Sequence, residues 1–521
     1  MEEKSNVDVL IIGAGIAGCT AALELADAGI EVTLVTKTKE PTESNSYYAQ
    51  GGIIYKGTDQ DSPAELAVDI LTSGAGLSNK TAVDIISKEG PAMVEKILIG
   101  KAKVDFDKID GELSRTKEGG QAIKRIIHRA DETGKAIEEA LIKTVANHPD
   151  IRIVTDATAV DLLTPAHHSE NRLAIYEPLS CVGAYVLDQK TGKVNRFLAK
   201  QTILATGGLG QVYEFTTNPA GARGDGIAMA NRAGARTINL EYVQFHPTTF
   251  FHPEAPRFLI TEAARGEGAK LVNAQDKPFM QKYDPRADLA TRDIVARSIY
   301  REMIATNTSH VYLDLKNYIP KEKIMSRFPN IRETLLGFGV DITKDLVPVV
   351  PAAHYACGGV YRAARTGETT IKNLWAVGEV ACTGLHGANR LASTSLLEGL
   401  VCGAKTAGTI KDRIKEPESV FSQSIKPWQA SDGKNADPTL IAQDLKTIRG
   451  IMWNYVGLER TTERLARARV ELGHAERSEQ FYQDSKISDA LLGLRNIART
   501  AVLVAEAAWE NKQSAGCHYR V

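Results

Sequence analysis

The chain opens on an apolar run, 7–12, that passes straight into glycines and then into apolar residues at helical spacing from Thr20 to Ala28. Residues 31–35 read as a second strand, so the first forty residues make a βαβ unit that ends near Lys39. The stretch 42–52 is polar, ends in paired glycines and reads as a loop. Helices are expected over 63–71 and 82–99, and 105–130 is polar, glycine-punctuated and expected to be irregular. A helix over 135–145 places Ile137, Leu141 and Val145 on one face. Strands follow at 151–154, 160–163, 182–187 and 203–205, the last running into Thr206-Gly207-Gly208. Gly224-Asp225-Gly226 precedes a helix of small residues over 227–233, with Gly234 to end it. A block over 241–351 differs in character, with charged and aromatic residues and several prolines. Beyond it come a buried strand at 373–377, a turn at Gly378-Glu379 and a helix over 395–409. From 415 to 437 the residues are polar and suit a linker, and 441–508 is helical in pattern with no strand candidate.

The expected fold class is therefore α/β. A Rossmann-like nucleotide domain, 1–240 and 352–414, is interrupted by an inserted α+β capping domain, 241–351. A linker and C-terminal helical bundle, 415–521, follow. Clefts between a nucleotide domain and a cap are common ligand sites.

Composition narrows the class of protein. At 521 residues the chain exceeds one ordinary core, and its 43% hydrophobic and 24% charged residues are those of a soluble globular protein. A net charge of −1 gives no general reason to bind nucleic acid. The run at 7–12 is too short to span a bilayer, and acidic residues at 2 and 3 precede it, so neither a membrane span nor a signal peptide is expected. The six cysteines, 19, 181, 357, 382, 402 and 517, form no Cys-x-x-Cys pair, and the eleven histidines form no metal pattern. A cytoplasmic protein with reduced core thiols and no metal is expected.

The candidate chemistry begins at Gly13-Ala14-Gly15-Ile16-Ala17-Gly18. Between strand and helix, Gly13 permits the tight turn, Gly15 lets backbone approach a pyrophosphate, and Gly18 lets the helix pack on the strand. The helix N-terminus then offers free N–H groups to the anion. Where an acidic residue often holds a ribose hydroxyl the chain has Thr36-Lys37, which leaves NADP and a flavin dinucleotide both open.

Other polar anchors gather around the inserted block. His246 precedes a proline; Thr261, Glu262 and Arg265 share one motif; Arg292 lies between Thr291 and Asp293; His354 and Arg390 come later. Arginines and histidines at one cleft suit a substrate with two carboxylates, because arginine forks a carboxylate and keeps its charge. The opposing reading pairs each arginine with a nearby acid, such as Arg292 with Asp293. Spacing alone does not decide whether they converge.

Six signatures carry a resemblance. They are Tyr48-Ala49-Gln50-Gly51-Gly52, Gln244-Phe245-His246-Pro247-Thr248, Thr261-Glu262-Ala263-Ala264-Arg265-Gly266-Glu267-Gly268, Arg292-Asp293, His354-Tyr355-Ala356-Cys357-Gly358-Gly359 and Gly384-Leu385-His386-Gly387-Ala388-Asn389-Arg390-Leu391-Ala392-Ser393. In these the chain resembles the flavoprotein family of succinate dehydrogenase and fumarate reductase, and within it the branch that oxidises L-aspartate.

The resemblance implies FAD as cofactor, and a lysine at position 37 is similar to that branch. It implies FAD contacts at Gly13 to Gly18, Lys37, Asn45, Ser46, Tyr47, Tyr48, Ala49, Gln50, Gly51, Gly52, Thr158, Ala159, Asp225, Glu379, Ser395 and Leu396. Glu379 would take a ribose hydroxyl, and Ser395 would open a helix whose positive end faces the isoalloxazine. It implies His246, Thr261, His354 and Arg390 as carboxylate anchors, with Arg292 as acid/base and Glu262 and Arg265 as its proton path. Arginine is a poor base in isolation, since its pKa exceeds about 12.

Two departures choose among relatives. Members that attach FAD covalently carry a histidine where this chain has Asn45, so non-covalent FAD is expected. Lys117-Glu118-Gly119-Gly120-Gln121 puts Glu118 where succinate-oxidising relatives have an apolar residue, and a carboxylate there suits the ammonium of aspartate. The implied reaction is oxidation of L-aspartate to iminoaspartate, with oxygen or fumarate as acceptor. It is the first step of quinolinate synthesis for NAD and makes quinolinate synthase a candidate partner. A soluble fumarate reductase or succinate dehydrogenase flavoprotein is the alternative. A flavin-binding assembly or RNA-modifying protein, a third reading, needs none of His246, Arg292, His354 and Arg390 together.

Overall fold

A computed structural model of the chain describes residues 6–57, 61–253, 255, 258–431, 433–473 and 476–521. The acidic residues before the first strand, and 432 and 474–475 within the expected linker and helical run, lie outside the described residues.

The first strand, Asn6–Ile12, is central in a seven-stranded sheet. It pairs in parallel with Val32–Val35, aligning Val9 with Val32, and with Val194–Leu204, aligning Ile12 with Leu204. Its apolar residues are buried because sheet and helices leave neither face to solvent. Helix Ile16–Ala26 packs on helix Ser395–Arg413, almost four hundred residues on, and glycines set the spacing. A Cβ on Gly403 would lie 2.6 Å from the Ala17 carbonyl oxygen.

Strand Val194–Leu204 is longer than the expected 203–205. Its first half, with half-exposed Asn195 and Arg196, forms an antiparallel hairpin with Gly183–Asp188, and its end pairs in parallel with Leu374–Ala376. One strand thus serves two partners, and only the fully buried end was apolar enough to read. The single helix expected over 82–99 is two pieces, Lys80–Met93 and the wider π-helical turns Val94–Lys101. The change follows Pro91, which has no N–H to give the ladder.

The stretch 105–130 is more ordered than expected. Lys108–Ile109 pairs with Glu112–Leu113, and Ile126–Ile127 joins Ile53–Ile54 and Arg115–Thr116 in a small sheet. Two-residue strands carry no readable period. This sheet holds together the two loops that matter most, 45–52 and 117–121.

In the inserted block, Val243–Phe250, Val347–Ala356, Val311–Asp314 and Lys270–Val272 form a four-stranded antiparallel sheet over its own apolar cluster around Phe250, Leu271 and Ile299. The return strand Val347–Ala356 runs through the expected boundary at 351/352.

Helices Pro438–Tyr455, Thr462–Gly473, Glu476–Gln483 and Asp489–Glu510 form the C-terminal part. Met452, Leu465 and Leu494 share one apolar cluster with Leu10 and Leu204 of the sheet. The stretch 415–437 is pinned to the body. Ile425 is buried, the Tyr185 hydroxyl donates to the Lys426 carbonyl at 2.5 Å, and Lys434–Asn435 pairs with Ser485–Lys486, a strand where none was expected. Among the described residues no helix is long and apolar enough to cross a membrane.

Candidate active site

One cleft of about 1760 Å³, measured out to solvent, runs from Lys37 and Asp225 past the N-terminus of helix Ile16–Ala26 to His246 and Arg390. Nearly every residue expected to act lines it. Gly18, Tyr47 and Arg265 do not.

At the dinucleotide end the three glycines divide their tasks. Gly13, at φ +115°, has the Ala205 carbonyl oxygen 2.2 Å from where a Cβ would lie, and a Cβ on Gly18 would meet the Gly13 carbonyl at 2.1 Å. Both are packing glycines. Gly15 faces the cleft, and the Ile16 N–H beside it donates to Ser46 Oγ at 3.2 Å. Tyr47 instead packs edge-on against Tyr48, with ring centroids 5.3 Å apart.

Lys37 and Asp225 line the cleft but spend their charge on each other, with Nζ 2.5 Å from Oδ2. Arg223 and the Asn496 amide also bond the Asp225 carboxylate; burial works to raise it, and these partners hold it well below its ordinary range. Thr158 donates to Asp489 Oδ1 at 2.7 Å, and Ala159 lines the wall beside it. The C-terminal helix, which begins at Asp489, therefore buttresses this end of the cleft, a contact that no local motif announced.

Glu379 sits in a turn beyond strand Leu374–Ala376 with both oxygens already engaged. Asn45 Nδ2 donates to one at 2.8 Å and the Ala356 N–H to the other at 3.0 Å. Burial pushes its carboxyl up to about 7.

At the other end, His246 and His354 ride on the antiparallel strands Val243–Phe250 and Val347–Ala356, where His246 aligns with Ala352, and their ring centroids lie 5.4 Å apart. The Thr248 N–H donates to His246 Nδ1 at 3.3 Å, so in the neutral ring the proton is on Nε2, a buried atom with no partner. Burial and the nearby Arg292, His354, Arg265 and Arg390 hold His246 neutral, its pKa well below the usual range. Burial, Arg390 and Arg292 do the same to His354, whose Nδ1 lies 2.9 Å from Thr217 Oγ1.

Arg292 starts helix Arg292–Thr306, and its Nε donates to Glu262 Oε2 at 2.6 Å. It does not pair with Asp293, which binds Arg297 at 2.9 Å. Arg265, behind Glu262, places Nη2 3.8 Å from Glu262 Oε1 and donates from Nη1 to the Asp288 carbonyl at 2.6 Å. Burial works to raise the Glu262 carboxyl, but Arg292 and Arg265 outweigh it and hold it below its ordinary range. Thr261 lines the cleft beside them. Glu118 accepts from Ser393 Oγ at 2.6 Å and lies against Gly51, where a Cβ would be 2.7 Å from its Oε1. Gly119 abuts Glu262, so the 117–121 loop closes over the Arg292–Glu262 pair. Gln244 donates to the Arg390 carbonyl at 2.9 Å and to Asn389 Oδ1 at 2.7 Å. Ser393, Gln244 and Tyr355 were not singled out from sequence, although each lies inside a signature quoted for its neighbours.

The FAD-binding-domain family matches residues 8–396. L-aspartate oxidase of Yersinia pestis is 43% identical over 98% of this chain and 95% of its own. L-aspartate oxidase 1 of Ralstonia nicotianae is 44% identical over 99% and 95%. The chain belongs to the L-aspartate oxidase family. Among solved structures it is similar to Escherichia coli quinol fumarate reductase, with a TM-score of 0.87 and 27% identity over 99% of this chain and 91% of that one. Mycobacterium smegmatis Sdh1 is similar at 0.83 and 27%, over 99% and 88%.

The cleft fits the FAD that this family binds. A helix N-terminus opens onto its middle, and the buried oxygens Asn45 Oδ1 and Gln50 Oε1 on its wall have no hydrogen-bond partner. Ser395 and Leu396 present the start of a second helix to the same space. An amide at Asn45 has no nucleophilic nitrogen to bond a flavin. Acid precipitation should therefore leave the flavin in the supernatant; a yellow pellet would contradict this.

Proposed function

We propose that the protein oxidises L-aspartate to iminoaspartate with bound FAD, reoxidised by oxygen or fumarate, as the first step of de novo NAD synthesis. The observation that carries the reading is Glu118, a carboxylate that lines the same cleft as Arg390, His246 and His354. Aspartate differs from succinate by one ammonium, and a carboxylate is the group that distinguishes them.

FAD supplies the two-electron acceptor for the hydride that leaves Cα. The residues of the chain do the rest. Arg390 takes one carboxylate by its guanidinium edge, and His246 Nε2 and His354 donate to the other with Thr261 beside them. Glu118 binds the ammonium, and with three points fixed the Cα–H is held in one orientation, where positioning supplies much of the rate. The nitrogen passes a proton to the Glu118 carboxylate as the hydride departs, which leaves iminoaspartate in its iminium form. When fumarate is the acceptor, the proton to carbon comes from Arg292, refilled from Glu262 and then Arg265. Neutral histidines suit this site because two more cations beside Arg292 and Arg390 would repel each other.

Iminoaspartate hydrolyses readily, so a consuming enzyme close by, quinolinate synthase, is the partner we infer. A cytoplasmic setting is supported by six buried cysteines with none in a disulfide. The test is anaerobic. L-aspartate should bleach the bound flavin and succinate should not; the reverse pattern would replace this reading with a succinate dehydrogenase.

A further inference from the structure

Arg390 makes no ion pair among the described residues, although the Glu118 and Glu379 carboxylates lie near enough to act on it through space. Its Nη1 donates to Ser395 Oγ at 3.1 Å, and its Nε is buried without a hydrogen bond. What holds it is a ring. The guanidinium carbon lies 4.7 Å from the centroid of Tyr355. Behind that ring is a polar cluster the mechanism above does not use. The Tyr355 hydroxyl donates to Glu398 Oε2 at 3.0 Å, His386 Nε2 lies 2.9 Å from the same oxygen, and Thr383 donates to Oε1 at 2.5 Å. All four side chains are buried.

The arrangement answers a physical difficulty. A buried guanidinium needs compensating charge. A carboxylate touching Arg390 would supply it, but would also occupy the fork that a substrate carboxylate must enter. Glu398 stands one ring away instead, its oxygens taken by three donors. Its bond to the Tyr355 hydroxyl makes the ring face more negative, and a desolvated cation over such a face is attracted. Burial works to raise the Glu398 carboxyl, and His386, Thr383 and Tyr355 outweigh it, so the oxygen that meets the Tyr355 hydroxyl belongs to a carboxylate.

We propose that Tyr355, backed by Glu398, is a positioning residue for carboxylate recognition: it holds Arg390 by its face and leaves the guanidinium edge free for substrate. This rests on Arg390 being a carboxylate anchor. The arrangement implies that the ring, more than the hydroxyl, is what Arg390 requires, with the buried charge tuning it.

The experiment measures malonate binding by perturbation of the flavin spectrum, and L-aspartate kinetics, on FAD-loaded protein. In Tyr355→Leu the malonate Kd and the aspartate KM should each rise about tenfold, with kcat within threefold of the original. Tyr355→Phe should restore both constants to within threefold. An FAD-loaded Tyr355→Leu that binds malonate as before would overturn the proposal, as would a Tyr355→Phe no better than Leu. Should Tyr355→Leu fail to hold FAD, Glu398→Gln decides. It keeps the size and removes the charge, and a malonate Kd raised about threefold supports the proposal, whereas no change overturns it. Wild-type protein that binds no malonate would instead sink the dicarboxylate reading of the cleft, before any variant is compared.

Discussion

Replacing Arg292 by methionine is expected to lower turnover of fumarate by about three orders of magnitude, with FAD still bound. A positioned proton-transfer group contributes about 10²- to 10⁴-fold, and Arg292 is held for that task by its 2.6 Å bond to Glu262. Methionine matches the length of the stem and removes the fork. Glu262 keeps Arg265 at 3.8 Å, so the carboxylate is not wholly abandoned, but it loses its closer partner. A drop in thermal stability should therefore accompany the loss of rate, because removing one member of a buried pair leaves the other uncompensated. Arg292→Lys keeps a charge without the planar fork and should recover little. Rapid-mixing measurement of flavin reoxidation by fumarate separates the chemical step from binding. A methionine variant within tenfold of the original rate would remove Arg292 from the proton path.

The second large effect concerns selectivity. Glu118→Gln should lower kcat/KM for L-aspartate about a hundredfold while fumarate reduction falls by less than tenfold. Fumarate has no ammonium, so it loses no partner when the carboxylate becomes an amide. Truncating one side of a desolvated ion pair costs about 3–5 kcal/mol, and the half-buried Glu118 belongs at the low end of that range. The comparison needs both reactions on one preparation, with fumarate reduction driven by an artificial donor. Equal losses would mean that Glu118 supports the loop and not the substrate. The 2.6 Å bond from Ser393 makes that outcome a real contest, and Ser393→Ala, which frees Glu118 without removing its charge, would show a smaller version of whichever pattern holds.

How much of this was legible in the sequence follows from distance along the chain. The first βαβ unit was read whole because strand, glycines and helix are neighbours, and their close contacts, such as Gly18 against the Gly13 carbonyl, are local. The partner of Arg292 was not legible. Its neighbour Asp293 was the nearest acid in sequence, yet the first turn of a helix points the two side chains apart, and Glu262, thirty residues earlier, reaches it. The pairing of His246 with His354 depends on the register of two strands about a hundred residues apart. The resemblance named residues that, Gly18, Tyr47 and Arg265 apart, line one cleft, and it did so without that register, because it carries a family's geometry in compressed form. It did not carry Asp489 or Asn496, whose contacts with Thr158 and Asp225 join the last long helix to the first domain.

The two strands that enter and leave the inserted block are hydrogen-bonded to each other, and that has a mechanical meaning. The block is mounted on a ladder and not on a pair of loose threads, so relative motion must flex a β-ribbon. The ribbon is interrupted twice, between Gln244 and Phe245 and between His246 and Thr249, where Pro247 has no N–H to offer. Compliance is therefore concentrated beside His246. The side chain proposed to hold a substrate carboxylate is carried on the flexure itself, and whatever grips His246 also sets the stiffness of the joint.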